Sequence, residues 1–505
     1  MDRNEENSNR VQLRYTEKTQ PIEVSAEITL PDYRSEISRL LWVRPTVLPP
    51  TRFMGGGKAE LSGPIRYDVL YVGPDGKLYD AAAEEGYAFS VPTDTARGSM
   101  QEALVDVVPE AIVSRVTGPR RLSVRCRMRA AVRGFAEKDL TPAVRGAGTH
   151  TPERLCELSD CVRHLAAPPI HYEVGDAVGL DAAEGEVRVL SPHGELLLQG
   201  VSATDTGILC RGEVYLTVLV CKEEKGTGEP EAILRRIPFE REIPLEGVTP
   251  DCRVCATGKV GEMRVTVEQD RIALEADVIL WGEAQAEECA ILCRDMYLPG
   301  CAAECQFSEE RLQADGLCGN RSFSVSGERP LGELSLPSEI LPIYTVADAE
   351  LTERRTEGGK TVLFGEMHCH TLYRLEAEYG VAELSVPFRT VLEGSFDAVN
   401  VTVSVPSCSA SVVRGALHAD GEVMLAVEAS SFTERRVLTE ASFTAAPPLP
   451  RADMELCYPA VGDTLWEVAR RYGVTAEALA GANGLSADAP GAADSLTGVR
   501  YLLIP

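Results

Sequence analysis

Gly212 to Val220 reads GEVYLTVLV, and variants of it recur as GPIRYDVLYV at Gly63 to Val72 and as GEMHCHTLYR at Gly365 to Arg374. In each, a glycine opens the run and a leucine stands seven residues later: Leu70, Leu219 and Leu372. Apolar and aromatic residues crowd these runs, and proline is absent past the second position. That is the pattern of a strand buried on at least one face. Upstream of each lies a second landmark, an acidic residue followed by a β-branched one, with an aliphatic three positions further on. It appears as Glu36-Ile37 with Leu40, Glu186-Val187 with Leu190, and Glu339-Ile340 with Ile343. The Glu-to-Gly separation is 27, 26 and 26 residues, and successive glycines stand 149 and 153 residues apart. Landmarks that keep their spacing through three copies define a triplicated unit of about 150 residues, the size of one domain.

Working outward, Ile22 to Leu30 alternates apolar and polar residues and predicts the first strand. Pro31-Asp32, followed by apolar Ile37, Leu40 and Leu41 within Ser35 to Trp42, predicts one or two helical turns. Gly55-Gly56-Gly57 reads as a turn, and Gly73-Pro74-Asp75-Gly76 as the turn of a hairpin joining Tyr67–Val72 to Lys77–Tyr79. Later strands are expected at Gln101–Val108 and Arg121–Val132. Their counterparts are Cys252–Val260 with Arg271–Leu280, and Ala398–Val405 with Gly421–Val427. The fold class is mainly β, with three repeated modules, each a β-sandwich or a partly open barrel; periodicity does not choose between those two. The expected bounds are an N-terminal arm at 1–20, modules at 21–137, 170–286 and 321–445, and linkers at 138–169, 287–320 and 446–453. The first two linkers are expected to carry short helices, at Pro152–Leu165 and around Glu309–Leu312.

The 505 residues hold 77 acidic and 50 basic side chains, a formal net charge of -27. Such a surface repels phosphate backbones and anionic headgroups, so nucleic acid is not an expected partner. The first residues, MDRNEENSNRVQLRYTEK, lack the apolar core of a secretory signal, and nowhere do 18 apolar residues run together. The expectation is a cytoplasmic chain without a transmembrane segment. Its 15 cysteines are then expected as thiols. The CxxxC pairs among Cys289, Cys293, Cys301, Cys305 and Cys318 lack the knuckle residues of a zinc site, and His368 and His370 share a strand face without further ligands. No nucleophile elbow, zincin helix or Walker loop occurs. No catalytic residue, metal or cofactor is therefore expected, and binding or assembly is the default.

The last 50 residues carry the strongest local signal. Met454–Tyr458 predicts a strand, and Thr464 and Glu467 have capping-box spacing ahead of a helix with Leu465, Val468, Ala469 and Tyr472 on one face. Gly473 ends that helix. Thr475 opens a second, Asn483-Gly484 closes it, and Tyr501–Ile504 predicts a final strand, giving a βααβ unit over 454–505. The stretch GDTLWEVARRYGVTAEALAGAN followed by LLIP resembles the LysM family. The resemblance implies a shallow groove for N-acetylglucosamine glycan. One lip would be Gly462, Asp463, Thr464, Leu465 and Trp466, the other Asn483, Gly484 and Leu485. Pro459 and the long loop Ser486–Thr497 depart from the family pattern on that side.

LPDYRSEISRLLWV at Leu30–Val43, echoed by LPSEILPI at Leu336–Ile343, resembles the SPOCS repeats of spore-coat morphogenetic proteins in endospore-forming Firmicutes. That resemblance implies a non-enzymatic sporulation scaffold in the mother cell, at the forespore surface. Its partner would be a coat-basement morphogenetic ATPase of the SpoIVA type, with Trp466 and Tyr472 as candidate aromatic anchors. Trp466 lies one position off the inward helical face and is expected to be partly exposed. The alternative is a peptidoglycan-binding wall protein or wall-hydrolase accessory.

Overall fold

The computed structural model describes residues 9–55, 58–92, 102–179, 186–223, 229–268, 271–446, 455–485, 496 and 498–505. The chain is mainly β, with two short helices near its C-terminus. The first strands are β1 (Arg10–Thr29), β2 (Arg39–Val47), β3 (Thr51–Gly55), β4 (Lys58–Val72), β5 (Leu78–Pro92), β6 (Glu102–Gly118) and β7 (Arg121–Asp139). Next come β8 (Ala143–Arg145), β9 (Glu153–Ala166), β10 (Ile170–Gly179), β11 (Glu186–Ala203), β12 (Gly207–Glu223), β13 (Pro230–Pro244), β14 (Arg253–Val267) and β15 (Arg271–Tyr297). Then follow β16 (Cys301–Pro330), β17 (Leu341–Glu357), β18 (Lys360–Leu375), β19 (Glu378–Leu392), β20 (Ala398–Val413) and β21 (Ala416–Ala445). The chain ends with β22 (Glu455–Cys457), α1 (Leu465–Tyr472), α2 (Ala476–Asn483) and β23 (Leu502–Ile504).

The three glycine-led strands take the same place in their sheets. β4 lies between β2 and β5, β12 between β11 and β13, and β18 between β17 and β19. Facing each such sheet is a second one: β1-β7-β6, β10-β15-β14 with β9 also on β15, and β16-β21-β20 with β8 also on β21. Side chains alternate between the two sides of a strand, so each pair of facing sheets encloses a common core. In the first pair Ile65, Tyr67 and Val69 meet Leu122, Val124 and Met128. In the second, Val214, Leu216 and Val218 meet Ile272, Leu274 and Val278. In the third, Leu363, Met367 and Cys369 meet Val423, Leu425 and Val427.

The opening glycine of each run has a physical reason. Gly63 pairs across the ladder with Tyr87, Gly212 with Phe239 and Gly365 with Phe388. A β-carbon on Gly63 would stand 2.6 Å from the Tyr87 hydroxyl, and one on Gly365 would stand 2.3 Å from the Phe388 ring. At Gly63 and Gly365 the aromatic ring lies over the bare backbone, whereas at Gly212 a β-carbon would meet the Leu197 carbonyl oxygen at 1.9 Å; only glycine fits at each place.

Several expected helices and linkers are instead strands. Residues 35–38 form no helix; Ile37 is buried and its amide donates to Pro119 O at 2.7 Å, after which β2 begins. Pro152–Leu165 falls in β9 from Glu153 onward, and this strand is zipped onto β15 from Arg163 opposite Ala286 to Glu153 opposite Tyr297. Glu309–Leu312 lies inside β16, whose ladder with β21 runs from Cys301 to Pro330. Ladder pairing outweighs the weak helical spacing in these segments. The expected arm at 1–20 is likewise β1 from Arg10 onward, and most of the expected 287–320 linker belongs to β15 and β16. The Pro-rich linker lies almost wholly outside the described residues.

Two of the junctions between the three sheet pairs contrast in chemistry. One is apolar: Leu70, Leu219 and Leu372, with their cross-strand partners Trp42, Leu190 and Tyr344, fall in a single buried cluster. The other is charged. Arg133, Glu283 and Glu428 each stand 12 residues after the first residue of β7, β15 and β21, so the same ladder position from three sheets converges on one point. Arg133 Nη1 donates to Glu283 Oε2 at 2.9 Å and to Glu428 Oε2 at 3.0 Å; its Nη2 donates to Glu283 Oε1 at 2.7 Å and to Asp106 Oδ2 at 3.1 Å. Arg14 Nη2 adds a bond to Glu428 Oε1 at 2.9 Å. Burial alone would raise the Glu428 pKa, but Arg133, His164 and Arg14 overcome it and hold the carboxyl at about 2. His164 is pushed down to about 4, first by burial, and its Nε2 faces Gln313 Oε1 at 2.8 Å.

Candidate functional site

The C-terminal unit is built as its sequence pattern demands. Thr464 accepts from the Glu467 amide at 3.2 Å, and the Glu467 carboxylate accepts from the Thr464 amide at 2.9 Å, which closes the capping box that starts α1. Gly473 at φ 62° stops α1, and Gly484 at φ 65° stops α2, both in the left-handed conformation that glycine adopts without strain. β22 and β23 pair antiparallel, and the helices bury Val468, Ala469 and Leu479 against Cys457, Leu502 and Ile504.

The eight expected groove residues separate into three kinds. Leu465 and Trp466 are buried. Thr464 and Asn483 are committed to holding the unit together. The Asn483 amide group donates to Leu479 O and Leu503 O, both at 2.8 Å, and its oxygen accepts from the Leu503 amide at 2.7 Å, tying α2 to β23. Asp463 is braced by Arg471 at 3.0 and 3.2 Å and by the Ala460 amide at 3.0 Å. Its hydrogen bond to Arg471, the leading influence, draws its pKa below the usual carboxylate value. What remains at the surface is Gly462 and Gly484, both exposed, half-buried Leu485, and the neighbouring Val461, whose side chain is fully exposed. The chain beyond the second lip returns to the first, because the Leu496 amide donates to Asp463 O at 3.0 Å. The result is a backbone-lined edge with apolar contacts and no unpaired charge among these lip residues. Such an edge suits a neutral amide-bearing ligand better than an ion. The loop Ser486–Thr497 lies outside the described residues apart from Leu496.

Trp466 corrects the sequence expectation. It is 7% exposed, packs edge-on against Tyr297 at 4.7 Å between ring centres, and donates from Nε1 to Asp295 Oδ2 at 2.9 Å. Arg470 reaches the same Asp295 oxygen, and the Tyr297 hydroxyl donates to Val474 O at 2.8 Å. Trp466 is therefore the dock between the C-terminal unit and the end of β15, not a free anchor for a partner. Tyr472, expected inward, is half-buried. Sequence reasoning could not reach this contact, since Asp295 lies 171 residues upstream. It also missed Val461, which no capping or periodicity rule singles out.

Residues 461–490 match the LysM domain family. The chain thus carries a LysM domain at its C-terminal end. No curated protein and no solved structure matches the chain. Among the described residues no helix is long and apolar enough to cross a membrane.

Proposed function

We propose that this chain is a non-enzymatic binding protein whose LysM domain takes an N-acetylglucosamine-containing glycan such as peptidoglycan, held against a β-rich body. The observation that carries the reading is the open backbone and apolar side chains at the two lips. Gly462 and Gly484 leave backbone groups open to the acetamido group, and Val461 and Leu485 offer apolar contact to its methyl and to the sugar ring. The test is co-sedimentation of the full chain with purified peptidoglycan. The wild type is expected in the pellet, and Val461→Asp, at a side chain that packs on nothing, is expected to lose at least about five-fold in bound fraction, the cost of placing one charge in an apolar contact. Wild-type chain that stays in the supernatant overturns the reading.

A second reading rests on the resemblance of Leu30–Val43 to the SPOCS repeats: a SipL-like cytoplasmic scaffold at the forespore surface that binds the coat-basement ATPase. One observation favours it. Tyr33 in that motif is 84% exposed, with the Arg34 guanidinium 5.9 Å from its ring, as a contact residue for a partner would be. Undiminished capture of the ATPase by Tyr33→Ala would remove that support. In either reading the three sheet pairs are taken as copies of one β-sandwich module, near 21–137, 170–286 and 321–445. An experimental structure in which β4, β12 and β18 do not superpose as middle strands would contradict this.

A further inference from the structure

Two cysteines meet across the third sheet pair. Cys369 on β18 and Cys408 on β20 belong to facing sheets, 39 residues apart in the chain, and their sulfurs stand 3.4 Å from each other. Cys369 is 1% exposed. Cys408 is half-buried and lines a cleft of about 220 Å³ together with Tyr215, Leu234, Thr345, Ser407 and Ser409. Two sulfurs already in contact must close by only about 1.4 Å to reach bonding distance.

We propose that Cys369 and Cys408 form a modification site, oxidised to an intersheet disulfide by small-molecule disulfides that enter this cleft. Cys408, the member that reaches the cleft, gives up its proton to solvent and attacks one sulfur of R–S–S–R. A Cys408–S–S–R bond forms and the first RS⁻ leaves. The Cys369 thiolate then attacks the Cys408 sulfur, the Cys369–Cys408 bond forms, and the second RS⁻ leaves. The protein gives up two protons and two electrons, and the reagent takes them as two thiols. While the pair is reduced, the hydrogen bond that Cys408 donates to Cys369 raises the Cys408 pKa, burial adding to it, and lowers that of Cys369, so the first attack is the slow step; once Cys408 carries R–S that bond is gone, and Cys369 gives its proton to solvent before it attacks. The finished bond ties the facing sheets together and shortens the accessible unfolded chain.

The full chain is incubated with oxidised glutathione, alkylated, digested without reductant and mapped by mass spectrometry, with thermal unfolding followed in parallel. The expected result is a linked peptide pair containing Cys369 and Cys408, abolished by reductant, with an unfolding midpoint raised by about 3 °C or more. Cys408→Ser, which keeps a hydroxyl at the site, is expected to leave Cys369 open to alkylation once unfolded and to show no linked pair. Cys369→Ser serves the same purpose from the other side. Wild-type chain in which both cysteines carry alkyl groups after oxidation, or in which Cys408 carries only a glutathione adduct, overturns the proposal.

Discussion

Two junctions between the sheet pairs solve one geometric problem with opposite chemistry. Each gathers equivalent ladder positions from three sheets. The first fills its space with Leu70, Leu219 and Leu372 under Trp42, Leu190 and Tyr344. The second fills it with Arg133, Glu283 and Glu428, all nearly or fully buried, braced by Arg14, Asp106 and Gln285. An apolar junction tolerates local loss in proportion to the volume removed. A buried ionic one is all or nothing, because each charge is tolerable only while its partners remain. The charged junction therefore acts less as a source of stability than as a device that accepts one arrangement of the three sheets.

That contrast can be broken by mutation, and the charged side should break hardest. Arg133→Met leaves three carboxylates facing one another and is expected to cost about 5 kcal/mol in denaturant unfolding. Leu219→Ala opens a cavity in the apolar junction, and about 4 kcal/mol is expected from the same measurement. If Leu219→Ala proves costlier than Arg133→Met, the assigned roles are reversed.

Acid sharpens the comparison without mutation. Glu428 is held at about 2 in the folded chain against 4.5 when unfolded, so its stabilisation is fully present above pH 4.5 and is lost as pH falls towards 2. His164, depressed to about 4 from 6.5, adds a loss of the same sign between pH 6.5 and 4, since unfolding lets it take up a proton that the fold resists. Each contributes about 3 kcal/mol across its window. Replacing Arg133, Glu283 and Glu428 together by Met, Leu and Leu is expected to flatten the Glu428 part of that profile. It should also recover only part of the stability lost in Arg133→Met, because buried Arg14 loses Glu428 as its partner. A triple variant as unstable as Arg133→Met alone would mean that the site cannot be repacked with apolar side chains.

The same contrast explains what could be read from the chain. Leu70, Leu219 and Leu372 are one residue type repeated, so their equivalence is visible as a motif. Arg133, Glu283 and Glu428 are equally equivalent in place, but complementary charge requires them to differ, and a search for likeness passes over them. The LysM unit was legible almost to the residue because its caps and closing glycines are local in the chain. Its dock was not, since the partner of Trp466 lies on β15. The apolar spacing at Ile37, Leu40 and Leu41 looked helical only because a turn followed by a bulged strand repeats at a similar interval; the ladder slips between Leu40 and Trp42. Of the groove residues, types were predictable and duties were not: Thr464 and Asn483 spend their polar groups inside the fold.

The central functional claim concerns the lip that is left over once those duties are met. It is tested most directly by calorimetric titration of the full chain with a soluble pentamer of N-acetylglucosamine, in wild type and Val461→Asp. Saturable heat with one site per chain, lost in the variant while its unfolding midpoint is unchanged, is the predicted result. Absence of heat with the wild type, or equal affinity in the two proteins, would contradict it.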